Sequence, residues 1–386
     1  MKFFQSVRSI AGVSRMNNET GLILIAALTL LTALTLAGVT AFIVASTDVK
    51  VGGNFRTTQT ALQVAMAGAE QARQTLRALN SASVNKTNFS EELASRVGTN
   101  AALDGYTPST DDVSLASSNT LVSGYSYNAY LTNHPSEGAS NVVDADGKVV
   151  ITSVATGPNN SKAIVQTTVQ LYSFPSNSPA TIYSKDNVTV SGSSIEINGT
   201  DASPACGGSG LAPIYTMDPA TTTQNGNPIL TGSPATPQQG NTDIDLEAYV
   251  ETLKSGASVT LTSDVSNGTY GSASNFVTVY ADATGTQADG ELKLTNATGY
   301  GILLVKGDLE FAGNLNWNGL IIVTGKIKTT GGGSDAKNIL GQVYGGKSDL
   351  GDSTLSGSVT VSYHSCNVKN ALASQPLKLV NWKQNY

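Results

Sequence analysis

Residues Leu22 to Val44 read LILIAALTLLTALTLAGVTAFIV, without a charge, a histidine or a proline. At 1.5 Å per residue a helix of this length reaches about 35 Å, enough for a hydrocarbon core of ~30 Å. The run therefore predicts a membrane span. Thr29, Thr32 and Thr35 recur every third position and predict hydroxyls bonded back onto their own helix. Lys2, Arg8 and Arg15 precede the run, opposed by Glu19. Positive flanks stay in the cytoplasm, so the chain after Val44 is expected outside. The run is too long for the apolar core of a cleaved secretory signal.

Gly21 stands at the polar/apolar boundary, directly before Leu22. Here the sequence resembles the type IV prepilins and pseudopilins. That resemblance implies cleavage between Gly21 and Leu22 by a prepilin peptidase, methylation of the Leu22 amine, and a leader over 1–21. The fifth mature position, usually Glu in major pilins, is Ala26. A carboxylate in an apolar bundle is costly unless it is paired. Its loss is compatible with a subunit that has nothing ahead of it, at a filament tip. An ordinary single-span anchor remains an alternative, and either Met1 or Met16 can be the start.

Beyond the span, Phe55, Thr58, Leu62, Ala65, Ala69, Ala72, Leu76 and Leu79 are spaced alternately three and four apart. This heptad seam predicts that the helix continues over 22–80 and packs closely through its alanines, with Gly52-Gly53 as the one reason to bend. The stretch GNFRTTQTALQVAMAGAEQA is similar to the PilX N-terminal family through Gly53, Asn54, Arg56, Ala65, Gly68 and Glu70. In that family the first half of the helix packs in a filament core and the second half packs under the globular domain.

Residues 81–173 predict a pilin-like antiparallel head. Its strand candidates are Ser123 to Leu131 and Val165 to Leu171, which alternate apolar and polar, and Lys148 to Ala155, which follows an Asp146-Gly147 turn. Asp144-Ala145-Asp146-Gly147 reads as a turn rather than a calcium loop, since the later ligands of such a loop are missing. Phe174 to Pro179 marks a boundary, and 180–386 forms a second unit. Pro204 to Gly240 reads as irregular loop, and Asp243 to Leu253 as a helix capped by Thr242 or Asp243.

Within that unit, glycines recur every six residues at Gly301, Gly307, Gly313, Gly319, Gly325 and Gly331. The third residues of the hexads are Leu303, Leu309, Leu315, Ile321 and Ile327. The fifth are Val305, Phe311, Trp317, Val323 and Thr329. Positions two apart share a strand face, so each hexad predicts a short strand with two inward side chains and a glycine corner. Repetition of that unit predicts a β-solenoid of open handedness. Further rungs are expected at 188–190, 195–197, 276–280, 292–294, 339–343 and 359–363. The fold class is therefore α+β: a long N-terminal helix, an antiparallel head and an all-β solenoid. The solenoid resembles the β-helical extensions of some PilX-type minor pilins.

The chain has two cysteines, Cys206 and Cys366, both on the expected outer side, where disulfides persist. They are expected to bond. A catalytic thiol beside His364 lacks an orienting partner, and His134 and His364 are too few for a histidine-rich metal site. Asp308 and Glu310 share an outward face and are the hexads' acids, so a carboxylate pair is conceivable against a solvated face. Lys and Arg total 22 against 28 Asp and Glu, and no arginine follows Arg96. A nucleic-acid partner is not expected.

These features predict a non-enzymatic minor pilin of a type IV pilus or pseudopilus, without cofactor or metal, placed at or near the tip and displaying its β-units for adhesion. Expected partners are other pilins, inner-membrane pilus assembly proteins, the prepilin peptidase and the membrane. The expected location is the inner membrane, single-pass with a cytoplasmic N-terminus, before assembly, and the periplasm and extracellular pilus after it. The alternatives are a membrane-anchored β-helical carbohydrate-active enzyme and a type II secretion pseudopilin.

Overall fold

The computed structural model describes residues 14–83, 86–97, 112–119, 121–172, 178–286, 290–331, 335–347 and 351–385. The start of the expected leader, most of the 174–179 boundary and part of the 81–120 loops lie outside the described residues.

One helix, α1 (Ser14–Ala82), runs for 69 residues. Helical structure passes through Gly52 and Gly53 without a break. Thr29, Thr32 and Thr35 each donate to a carbonyl three or four residues back, as at Thr29 Oγ1 to the Ala26 carbonyl, 2.9 Å. Among the described residues, this is the helix long and apolar enough to cross a membrane: its 18-residue apolar window has a mean hydropathy of 2.5 and is 0% buried.

The second half of α1 lies on an antiparallel sheet. After α2 (Ser90–Ala94) come β1 (Ala116–Ser118), β2 (Ser126–Asn133), β3 (Lys148–Thr156) and β4 (Lys162–Gln170), paired in sequence order. Period-two alternation turns Tyr127, Ala129, Leu131, Val149, Ile151, Val165 and Val169 toward the helix, where all are buried.

The chain then builds a solenoid of parallel strands, three to a rung. Its first rung is β5 (Ala180–Ser184), β6 (Val188–Ser191) and β7 (Ile195–Asn198). The second is β8 (Ala212–Met217), β9 (Thr222–Asn225) and β10 (Ile229–Thr231), followed by β11 (Gln238–Gly240). A full rung thus stands where Pro204 to Gly240 was expected to be irregular. Its short strands, interrupted by Pro213, Pro219 and Pro228, carry no legible period.

Helix α3 (Leu246–Leu253) follows, capped by Asp245, which accepts from the Ala248 amide at 2.9 Å, rather than by Thr242 or Asp243. The chain restarts with β12 (Val259–Leu261), β13 (Val265–Ser266) and β14 (Thr269–Tyr270). It continues through β15 (Val277–Asp282), α4 (Ala283–Thr286), β16 (Glu291–Lys306), β17 (Asp308–Val323), β18 (Ile327–Thr329), β19 (Ala336–Gly345), β20 (Ser353–Ser356) and β21 (Ser358–Ser362). Gly301 pairs with Gly319 and Gly319 with Gly341, so three hexads make one turn of the solenoid. The strands do not stop at the corners as expected. β16 and β17 each run 16 residues through glycine bends, at φ +131° for Gly301 and +136° for Gly319. The predicted third and fifth hexad positions do fill the interior, with Leu303, Phe311 and Trp317 fully buried.

The rung order is not the chain order. The last rung packs under the first: β19 pairs with β5, β20 with β6 and β21 with β7. The chain thus enters mid-stack, winds to one end, and restarts from the other end after α3. It then winds back to its entry point.

After α5 (Ser365–Ala373), β22 (Lys378–Asn385) leaves the solenoid and pairs antiparallel with β4, opposing Lys378 to Gln170. The expected boundary of 180–386 is corrected by this strand, because 378–385 complete the head sheet. The solenoid is an insertion between two neighbouring strands of the head.

Candidate functional site

Three features bear on function: the seat of the helix, the joint of the solenoid and a charged ladder on its outer face.

The seat is built from small residues. Ala65, Ala69, Ala72 and Leu76 of the predicted seam are buried, together with Ala61, Val64 and Gly68, which the heptad reading omitted. Leu62 and Leu79 are half-buried. Phe55 is corrected: it is 66% exposed. The Tyr125 hydroxyl reaches the Thr57 carbonyl at 3.5 Å, close to where the sheet's cover ends, and Phe55 lies beyond it on the bare half of α1. At Gly68 a Cβ would come within 2.5 Å of the Tyr127 ring and the Ser153 hydroxyl, so only glycine lets the helix lie this close. Glu70 and Arg73 form an ion pair at 2.7 Å, and Arg73 donates to the Leu377 carbonyl at 2.8 Å. The resemblance-bearing Glu70 thus helps hold the segment that returns the chain to the head. Gly21 and Leu22 lie within unbroken helix, and Leu22 is exposed.

At the joint, Cys206 and Cys366 are disulfide-bonded with their Cα atoms 5.2 Å apart. The bond spans the loop after the first rung and the helix after the last. Asp201 strengthens the same joint by accepting from the Ser365 hydroxyl at 2.6 Å, from the Ser365 amide and from the Ser203 amide. His364 and Cys366 do not lie side by side on one strand. Cys366 is in α5, and His364 caps that helix by accepting from the Asn367 amide at 3.1 Å.

The ladder corrects the expected solvated face. Asp308 and Glu310 are only 4% and 5% exposed. Glu310 sits in register between Lys293 and Lys328 of the adjacent rungs, at 2.8 and 2.9 Å, and accepts from the Thr330 hydroxyl at 2.7 Å. Asp308 meets Lys326 at 3.4 Å. Burial alone would raise the Glu310 pKa, but the bonds from Lys293, Thr330 and Lys328 outweigh it and hold the carboxyl at about 2. Glu291 is shifted the other way, by burial and then by Glu310.

Because the folded pKa of Glu310 lies below its unfolded value, its contribution is present above about pH 4.5 and is lost as pH falls toward ~2. Glu310→Gln should therefore melt lower than wild type at pH 7, and the gap should close on acidification across that window. A gap that stays constant to pH 2 would contradict the ladder's role.

Glu137, Asp144 and Asp146 bring carboxylate oxygens within 4.8 Å of one another beside the predicted Asp146-Gly147 turn. Asp144 is already committed to the Phe89 amide at 2.7 Å and the Gly147 amide at 2.8 Å, which ties the two loops together.

No protein-family model matches this chain, and no curated protein matches it. Among solved structures, the crystal structure of the competence-associated pilin ComZ from Thermus thermophilus is similar over 85% of this chain and 97% of that one. The identity is 12% and the TM-score 0.25, too low for the two folds to superimpose as wholes.

Proposed function

We propose that this chain is a PilX-like minor pilin: a structural subunit that enters a type IV pilus or pseudopilus through α1 and carries its solenoid outward as cargo. The observation that supports this most directly is the division of α1. The helix is exposed from Leu22 to Phe55, save for partly covered Ser46, and apolar from Leu22 to Val44; from Ala61 onward it is seated under an antiparallel sheet. A bare apolar half wants either lipid or the same halves of neighbouring subunits, and one helix that can exchange the first for the second suits a filament drawn from a membrane. Cleavage between Gly21 and Leu22 by a prepilin peptidase belongs to the same reading. A position at or near the tip is part of the same proposal, and Ala26 is compatible with it, since there no amine stands ahead of the subunit to pair with a glutamate.

The test is to shear filaments from cells, determine the N-terminal mass of this protein in the filament fraction, and label it with immunogold. A mature chain starting at methylated Leu22 with label at filament ends is the expected result. A chain in filaments that still starts at Met1 or Met16 rejects the processing, its absence from filaments rejects the pilin role, and label along the shaft rejects the tip position.

A further inference from the structure

Between the last turns of α1 and the solenoid lies a cavity of about 380 Å³. Gln74 and Arg77 line it from α1, Ser274, Asn275 and Phe276 from the segment before β15, and Asn370 from α5. No acidic side chain lines it among the described residues. Arg77 donates to the Ser374 carbonyl at the end of α5. It has no carboxylate partner among the described residues, since the nearby Glu70 is taken by Arg73. Arg77 stands at the exposed rim of the cavity, where its guanidinium is open to a ligand from solvent; partial desolvation, then the charge of Arg73, pushes its pKa down. A guanidinium carries five donors in a planar fork matched to a carboxylate, and one bond to a carbonyl leaves most of them unused.

The rest of the lining narrows the ligand. The side chains of Asn275 and Asn370 make no hydrogen bond among the described residues, and each offers both donors and an acceptor. Phe276 is half-buried and set edge-on against Tyr300 with ring centroids 6.0 Å apart. One cation, amides that match hydroxyls in either direction, and a fixed aromatic ring form the pattern of a site for a hydroxyl-rich anion with an apolar C–H face. A simple inorganic anion would leave the amides and the ring without a partner.

We infer that this cavity binds an acidic sugar, its uronate carboxylate on Arg77, its hydroxyls on Asn275 and Asn370, and its ring against Phe276. The inference goes beyond the proposed filament role and does not depend on it, since binding is read on the purified protein.

The test is calorimetric titration of the full-length chain in detergent with trigalacturonate, neutral galactotriose and inorganic phosphate. Trigalacturonate is expected to bind at least tenfold more tightly than either of the others. Ser274→Asp puts an acid beside Arg77 without touching its bond to Ser374, and should weaken trigalacturonate at least tenfold with an unchanged melting temperature. Asn275→Ala should weaken it severalfold. Equal binding of galactotriose or phosphate, no binding of trigalacturonate, or an unaffected Ser274→Asp variant would overturn the assignment.

Discussion

Gly319→Val should unfold the solenoid by roughly 10 °C relative to wild type. A Cβ at this corner overlaps the Gly301 carbonyl oxygen of the rung on one side and comes within 3.3 Å of the Ala371 Cβ of α5. Both neighbours are fixed, the first by being backbone and the second by packing. The backbone at φ +136° is also one that a β-branched residue resists. Strain of this kind costs about 3 kcal/mol or more, and in a unit of 150–250 residues each kcal/mol is worth ~2–4 °C. Tryptophan fluorescence reads the change directly. Trp317 is fully buried in the same rung and donates to the Gly301 carbonyl at 3.3 Å. Gly207→Ala is the comparison: its φ is +71°, yet a Cβ there meets nothing within 4 Å, so about 1 kcal/mol is expected. A Gly319→Val protein that melts like Gly207→Ala would mean that the rungs can part at this corner.

Replacing Cys206 and Cys366 by serine should cost about 2–5 kcal/mol, the upper end being the chain-entropy value for a closed loop of this length. The cysteines are 160 positions apart and clip together the two rungs that meet out of chain order. Hydrogen exchange should show β5–β7 losing protection before β15–β17, because the first rung has a sequence-adjacent neighbour on one side only. Uniform loss of protection would show that the joint is no weaker than the rest of the stack.

Much of this architecture is written in periodicity. The two-residue alternation of Tyr127, Ala129 and Leu131 and the six-residue recurrence of Leu303, Leu309 and Leu315 place side chains on a face without reference to distant chain. The outer cover of the solenoid had a signal that went unused. GILLVK and GLIIVT are apolar at their second and fourth positions as well, which marks a strand buried on both faces. Those residues, Ile302, Leu304, Leu320 and Ile322, pack in one buried cluster with Leu246 and Val250 of α3 and Ala371 of α5. By contrast, GDLEFA and GKIKTT are polar there, and nothing in either hexad says that its charges pair across rungs. Asp308 meets Lys326 only once the turn length is known. The order of rungs and the return of β22 were illegible for the same reason: they are pairings between segments far apart, and no local pattern encodes a partner. The seam drifted at Phe55 because heptad spacing says which face is apolar, not where the opposing sheet begins.

The return of β22 also decides where tension travels. The filament would pull on α1, and α1 is seated on the head sheet. The solenoid hangs from that sheet by two strands, β4 and β22, that are hydrogen-bonded side by side, with Gln170 opposite Lys378 at the point of exit. A pull on the solenoid is therefore shared between two tethers leaving from the same spot, and neither can lengthen without sliding a strand along the sheet. In the proposed filament, a stretch along α1 would load the head sheet first and would meet the solenoid through the Arg77 bond to Ser374 at the end of α5. Whatever the solenoid holds is carried on a closed loop hung beside the line of tension, so its rungs need not unwind when the stalk is drawn taut.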